Sequence, residues 1–144
     1  MTQARPTILI ADDDPLTRLF VKNALEPAGM VVIEATGGKD ALAKFEALPS
    51  DLVILDIMMP EVDGYLTCSR IRSLPRGKRI PILILTGLDD VNSIAQAYQH
   101  GATDFIINPG QQFHAFVQGH QDSILTFSTR NLDLDQVKGS SSLP

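Results

Sequence analysis

A chain of 144 residues that is 44% hydrophobic has enough apolar side chain for one full core, and its length allows one domain plus a short tail. Its net charge of −5, with no block of basic residues, argues against direct nucleic-acid binding by this chain and fits a charged protein partner. The single cysteine, Cys68, excludes an internal disulfide, and neither a membrane-length apolar run nor a secretory leader is visible, so a cytoplasmic, reducing location is expected.

Apolar runs alternate with segments of helical period. The first run, Thr7-Ile8-Leu9-Ile10-Ala11, predicts a strand over 7–11 and ends at Asp12 and Asp13. Asp14 is placed to N-cap a helix over 15–27, with Pro15 in its first turn. Leu16, Leu19, Phe20, Asn23 and Ala24 recur at helical spacing, and Gly29 is a stop signal. A strand over 30–34 and a helix over 38–47 follow. The next strand, 51–56, closes Leu52-Val53-Ile54-Leu55 with Asp56. A proline-containing loop then leads to a helix over 64–73, with Asp63 as a turn residue and Cys68 as core packing in register with Ile71. The strand over 80–85 runs into Thr86-Gly87. Asp89 or Asp90 is placed to cap a helix over 90–100, whose Ile94, Ala97 and Tyr98 share a face. A strand over 104–107 and a glutamine-rich helix over 111–127 complete the pattern. Residues 1–130 read as the domain, and 131–144, ending Gly-Ser-Ser-Ser-Leu-Pro, as a flexible tail or cut linker.

Alternating β and α units predict an α/β fold, a parallel sheet with helices on both faces and right-handed connections. In such a sheet, ligands bind outside the carboxyl ends of the strands, where the winding direction reverses. If the first and third strands are neighbours there, Asp12, Asp13 and Asp56 share one pocket. Like charges so placed raise each other's pKa, and a hard divalent cation with oxygen ligands, Mg²⁺ above all, relieves the conflict. One of the carboxylates is then a candidate nucleophile. Thr86, a small hydroxyl beside Gly87, suits a phosphoryl oxygen.

Over residues 6–109 the chain resembles the receiver domain of two-component response regulators. The residues that carry the resemblance are Asp12-Asp13, Asp56 in Leu-Asp-Ile-Met-Met-Pro with Asp63-Gly64, Thr86-Gly87, and Gly101-Ala102-Thr103-Asp104-Phe105. The resemblance implies a flavodoxin-like, CheY-like sandwich with five parallel strands in the order 2-1-3-4-5 and five helices. It implies that Asp56 accepts a phosphoryl group from a sensor histidine kinase or phosphotransfer protein. Asp13, Asp56 and the Met58 carbonyl would hold Mg²⁺, with Asp12 helping through water. Thr86 would bind the phosphoryl group, and Phe105 takes the position of the aromatic switch residue. Apart from that carbonyl, Met58 and Met59 read as loop packing. The resemblance also implies an output domain or partner protein, and a homodimer through the face of helix four, strand five and helix five. A narrower similarity, from Gly87 through Phe105, is to receivers that precede GGDEF output domains.

One position departs from the family. Asn108 stands where members carry a lysine, and asparagine offers a neutral donor in place of a cation. That departure suggests an alternative, a binding module of receiver shape that does not use phosphorylation. A third reading, a haloacid-dehalogenase-like phosphatase, is suggested by Asp12-Asp13-Asp14 and Thr86. Leu16 stands where that family needs a threonine and no cap domain fits, so the chain reads as a phosphoacceptor and not an enzyme. His100, His114 and His120 show no metal-binding spacing.

Overall fold

The computed structural model describes residues 5–88 and 90–107. Five strands, β1 (Thr7–Ala11), β2 (Val31–Ala35), β3 (Leu52–Leu55), β4 (Ile82–Thr86) and β5 (Asp104–Ile107), form one sheet in the order β2-β1-β3-β4-β5. All four pairings are parallel. Helices α1 (Pro15–Leu25), α2 (Gly38–Ala47), α3 (Gly64–Ser73) and α4 (Val91–Gln99) connect them. The expected helix over 111–127, Asn108 and the tail over 131–144 lie outside the described residues.

Side chains alternate across the pleat and so feed two cores. Leu9, Ala11, Val53, Leu55, Ile82 and Ile84 point to the face covered by α2, α3 and α4, where Phe45, Cys68, Ile71 and Ala97 meet them. Ile8, Ile10, Ile54, Leu83 and Leu85 point to the other face, which receives Val21 and Leu25 from α1. β1, β3 and β4 are buried on both faces, which is why their sequences are apolar without alternation. Cys68 is fully buried, and burial pushes its thiol up to about 11, in keeping with a packing role.

Several sequence expectations need correction. The 15–27 helix ends at Leu25, and a short 3₁₀ turn over Glu26–Ala28 carries Pro27, whose ring cannot continue an α-helix. Leu16 and Leu19, part of the helical-spacing set, are 73% and 51% exposed; the stripe that faces the sheet is Val21 and Leu25, with Phe20 and Ala24 beside it. Asp63 is more than a turn residue: it is the N-cap of α3, its carboxylate accepting the Leu66 N–H at 2.9 Å. Asp14 caps α1 and Asp90 caps α4 by the same device.

The amino end of β4 and the turn into β5 are joined by one side chain. Arg72, near the end of α3, donates Nε–H to the Gly101 carbonyl at 2.9 Å and Nη1 to the Gly77 carbonyl at 3.0 Å. Nη1 also reaches the Ile80 carbonyl, and Nη2 reaches Thr103 Oγ1 at 3.2 Å. Gly101 meets two demands here. Its φ of +106° is a left-handed conformation, and a Cβ there would meet Arg72 Cγ at 2.8 Å. Replacing Arg72 by methionine strands three partly buried carbonyls, so urea unfolding is expected to show a loss of about 2–3 kcal/mol. Arg72→Lys should recover less than half of that loss, because an ammonium lacks the planar fork.

Candidate functional site

The parallel register brings the acids together. Ala11 pairs with Leu55, and the Asp56 N–H donates to the Ala11 carbonyl at 3.0 Å. The residues that follow these two strand ends therefore emerge side by side. Asp12, Asp13 and Asp56 each offer a carboxylate oxygen, and those oxygens lie within 4.8 Å of one another. Asp12 is buried, Asp56 half-buried and Asp13 exposed, so the corner opens to solvent on the Asp13 side.

Local geometry fixes each member. The Asp12 N–H donates to the Ala35 carbonyl at 3.2 Å, and Asp12 Oδ1 accepts the Asp14 N–H at 2.9 Å. Asp56 Oδ1 accepts the N–H of Ile57 at 2.8 Å. Gly64 lies so close to the loop after β3 that a Cβ would overlap the Asp56 carbonyl oxygen and come within 2.7 Å of Ile57 Cα. The Gly64 N–H donates to the Ile57 carbonyl at 2.8 Å, locking the start of α3 against the Asp56 loop.

The electrostatics follow from burial and crowding. Burial raises Asp12 from 3.8 to about 7; the Asp14 amide opposes the shift, and the charges of Asp56, Asp13 and Asp14 add to it. Burial also raises Asp56, against hydrogen bonding from the Thr86 side chain and the Ile57 and Met58 amides. Three crowded carboxylates with all-oxygen donors suit a hard divalent cation, which would neutralise what the protein alone leaves repelling. The residues present fit such an ion.

Thr86 is buried at the end of β4, and its Oγ1 accepts the Leu88 N–H at 3.3 Å, which leaves the hydroxyl proton for Asp56 or a phosphoryl oxygen. Phe105 on β5 pairs with Ile84, two residues before Thr86, so both side chains lie on one face of the sheet. It is half-buried against the α2–α3 core. Met58 and Met59 do not pack as a pair: Met59 is buried but the Met58 side chain is 65% exposed. The loop between them and α3 holds Glu61 at φ +68°, a left-handed residue that is not glycine. His100 lies apart from the corner, its ring 5.2 Å from that of Tyr65.

Residues 8–116 match the family model of the response regulator receiver domain. The chain belongs to that family. Membership puts this receiver in two-component signal transduction. It is 40% identical over 104 residues to the DNA-binding dual master transcriptional regulator RpaA of Synechocystis, a match that covers 72% of this chain and 43% of that protein. A putative response regulator from Chloroflexus aurantiacus is 31% identical with a TM-score of 0.76, covering 85% of the receiver and 99% of that chain. The chemotaxis protein CheY4 of Vibrio cholerae is 28% identical with a TM-score of 0.75, covering 82% and 98%. The receiver thus spans less than half of the curated regulator, and the DNA binding in that protein's name is said of the longer molecule. Because RpaA is a transcriptional regulator, the narrower likeness to receivers ahead of GGDEF domains gains no support from it. Among the described residues no helix is long and apolar enough to cross a membrane.

Sequence reasoning missed Arg18. It is the first basic residue after the acidic loop, one turn inside α1, and its Nη1 donates to the Asp12 carbonyl at 2.7 Å. Helical spacing from Asp14 was the available signal.

The raised Asp12 pKa makes metal-free stability depend on pH. An acid whose folded pKa lies above its unfolded value stabilises fully at low pH and loses that contribution as pH rises through the folded value. For Asp12 the window runs from 3.8 to about 7. Asp12→Asn keeps the acceptor for the Asp14 amide and removes the charge. In EDTA, urea unfolding at about pH 8 should show the variant more stable by on the order of 2 kcal/mol, with little difference at about pH 4.

Proposed function

We propose that the chain is a phosphoacceptor switch in which Asp56 takes a phosphoryl group from a phosphohistidine of a sensor kinase or phosphotransfer protein. The convergence of Asp12, Asp13 and Asp56 at one open corner, with Thr86 beside Asp56, carries this reading. A carboxylate oxygen of Asp56 attacks the phosphorus in line with the leaving imidazole nitrogen. An O–P bond forms and the N–P bond breaks, its electron pair going to nitrogen; with the other ring nitrogen of the phosphohistidine protonated, the leaving group is neutral imidazole. Asp12, Asp13, Asp56 and the Met58 carbonyl would hold Mg²⁺, which when bound supplies charge neutralisation for the phosphoryl oxygens.

The amides of Ile57 and Met58, already aimed at the Asp56 carboxylate, stay as donors to the modified group. Thr86 turns its hydroxyl toward the new oxygens, and Phe105, on the same face, fills the space it leaves. That repacking is read by an output domain or partner protein. The chemistry is limited to gain and loss of this one group, so the chain is a switch and not a turnover enzyme. The receiver unit takes in residues 1–130, with 131–144 a tail or linker, and works in the cytoplasm. The alternative of a phosphorylation-independent module drew on Asn108 alone; the complete acidic corner favours the phosphoacceptor.

With acetyl phosphate and Mg²⁺, intact-mass spectrometry should show one added phosphoryl group on the native chain and none on Asp56→Asn. Thr86→Ala should slow the reaction about tenfold, the loss expected for one hydrogen bond to developing charge. Labelling of Asp56→Asn, or none of the native chain, would sink the assignment.

A further inference from the structure

The Asp12–Asp13 peptide is held from β2 at both ends of Asp12. On one side, the Asp12 N–H donates to the Ala35 carbonyl at 3.2 Å. On the other, the Asp12 carbonyl accepts Arg18 Nη1 at 2.7 Å, and Arg18 Nε donates to Glu34 Oε1 at 3.1 Å. Glu34 is the residue of β2 before Ala35 and lies opposite Ile10. It is itself held: Lys22 Nζ is 3.7 Å from its second carboxylate oxygen, and Lys44 Nζ donates to its backbone carbonyl at 2.6 Å. The Arg18 side chain is only 14% exposed and Glu34 is 37% exposed, so water screens the carboxylate side of the bridge while the guanidinium stays packed against the Asp12 carbonyl. The carbonyl it grips belongs to the peptide that joins two members of the acidic corner. The tilt of that peptide sets the directions of both carboxylates.

We propose that Arg18 is a positioning residue for the cation site: braced by Glu34, it fixes the Asp12–Asp13 peptide so that both carboxylates converge with Asp56. The inference rests on the cation-dependent receiver of the preceding subsection. It makes a prediction opposite in sign to simple electrostatics. A guanidinium near the site repels a divalent cation, so as a mere charge its removal would tighten Mg²⁺ binding. As a clamp its removal loosens the ligands and weakens binding, as happens when groups that orient metal ligands are removed.

Isothermal titration of the full chain with Mg²⁺ decides between the two, with melting in EDTA measured beside it as the control for general destabilisation. Arg18→Ala should weaken Mg²⁺ about tenfold. Arg18→Lys keeps the charge but cannot fork between Glu34 and the Asp12 carbonyl, and should recover little of the loss. Lys22→Ala removes a charge from the same cluster without touching Asp12, and should leave affinity unchanged or slightly tighter. If Arg18→Ala does not fold, Arg18→Met serves in its place, keeping the aliphatic stem while removing the guanidinium, and should weaken Mg²⁺ to a similar degree. Affinity in Arg18→Ala (or, failing that, in Arg18→Met) equal to or tighter than native overturns the clamp. A native chain that binds no Mg²⁺ overturns the cation site itself, and the clamp with it.

Discussion

The structure is organised around a repulsion. Three carboxylates with oxygens inside 4.8 Å of one another would drift apart in a flexible loop. Here the backbone holds them, because Asp12 and Asp56 are hydrogen-bonded to the sheet and Asp13 follows Asp12 directly. The Asp56 amide is bonded to the Ala11 carbonyl, the Asp12 amide to the Ala35 carbonyl, and Gly64 fills the space behind the Asp56 backbone. β1, at the centre of this arrangement, is buried on both faces and paired on both edges. The hydrophobic core thus supplies the force that holds like charges together, and the corner is rigid because the apolar strands beneath it are.

Much of this was legible from residue pattern. Strands buried on both faces print continuous apolar runs, and an acid that ends such a run is conspicuous, so Asp12, Asp13 and Asp56 could be placed before any coordinates. Capping was legible for the same local reason: Asp14 and Asp90 stand immediately before helical periods. What failed was the choice between overlapping stripes. In α1 the set Leu16, Leu19, Phe20, Asn23 and Ala24 and the set Val21 and Leu25 both satisfy helical spacing; the docking angle on the sheet selects Val21 and Leu25 with Phe20 and Ala24 beside them, and leaves Leu16 and Leu19 exposed. Arg18 and Arg72 were also missed as structural groups. Their partners are mainly backbone carbonyls, which leave no trace in side-chain sequence.

The two ends of the sheet differ in how they treat polar groups. At the amino end, Asp51 accepts the Thr7 N–H at 2.7 Å and donates its own N–H to the Thr7 carbonyl, while the Val31 N–H donates to the Pro6 carbonyl; each of these polar groups is matched. At the carboxyl end the rules of stable folding are broken together. Asp12 is a buried acid crowded by others, Glu61 occupies a left-handed conformation, and Leu16 and Met58 are left in solvent. The amino end has exceptions of its own, since Ser50 Oγ is buried without a partner and Leu48 is exposed, so what sets the carboxyl end apart is the crowding of its acids.

That asymmetry has a thermodynamic consequence for signalling. A folded chain carrying uncompensated carboxylates is stabilised by whatever neutralises them, whether protons or a divalent cation, through mass action on the native state. A phosphoryl group on Asp56 would alter the same balance, because it brings negative charge into a corner already overloaded with it. The added charge would then be met by donors already at the corner, and Thr86, whose hydroxyl hydrogen-bonds Asp56 while its oxygen accepts the Leu88 N–H, is so placed. Under the proposed phosphoacceptor reading, the charge crowding at the corner would let a modification of one side chain move another on β4 and, through the shared face of the sheet, reach Phe105 on β5.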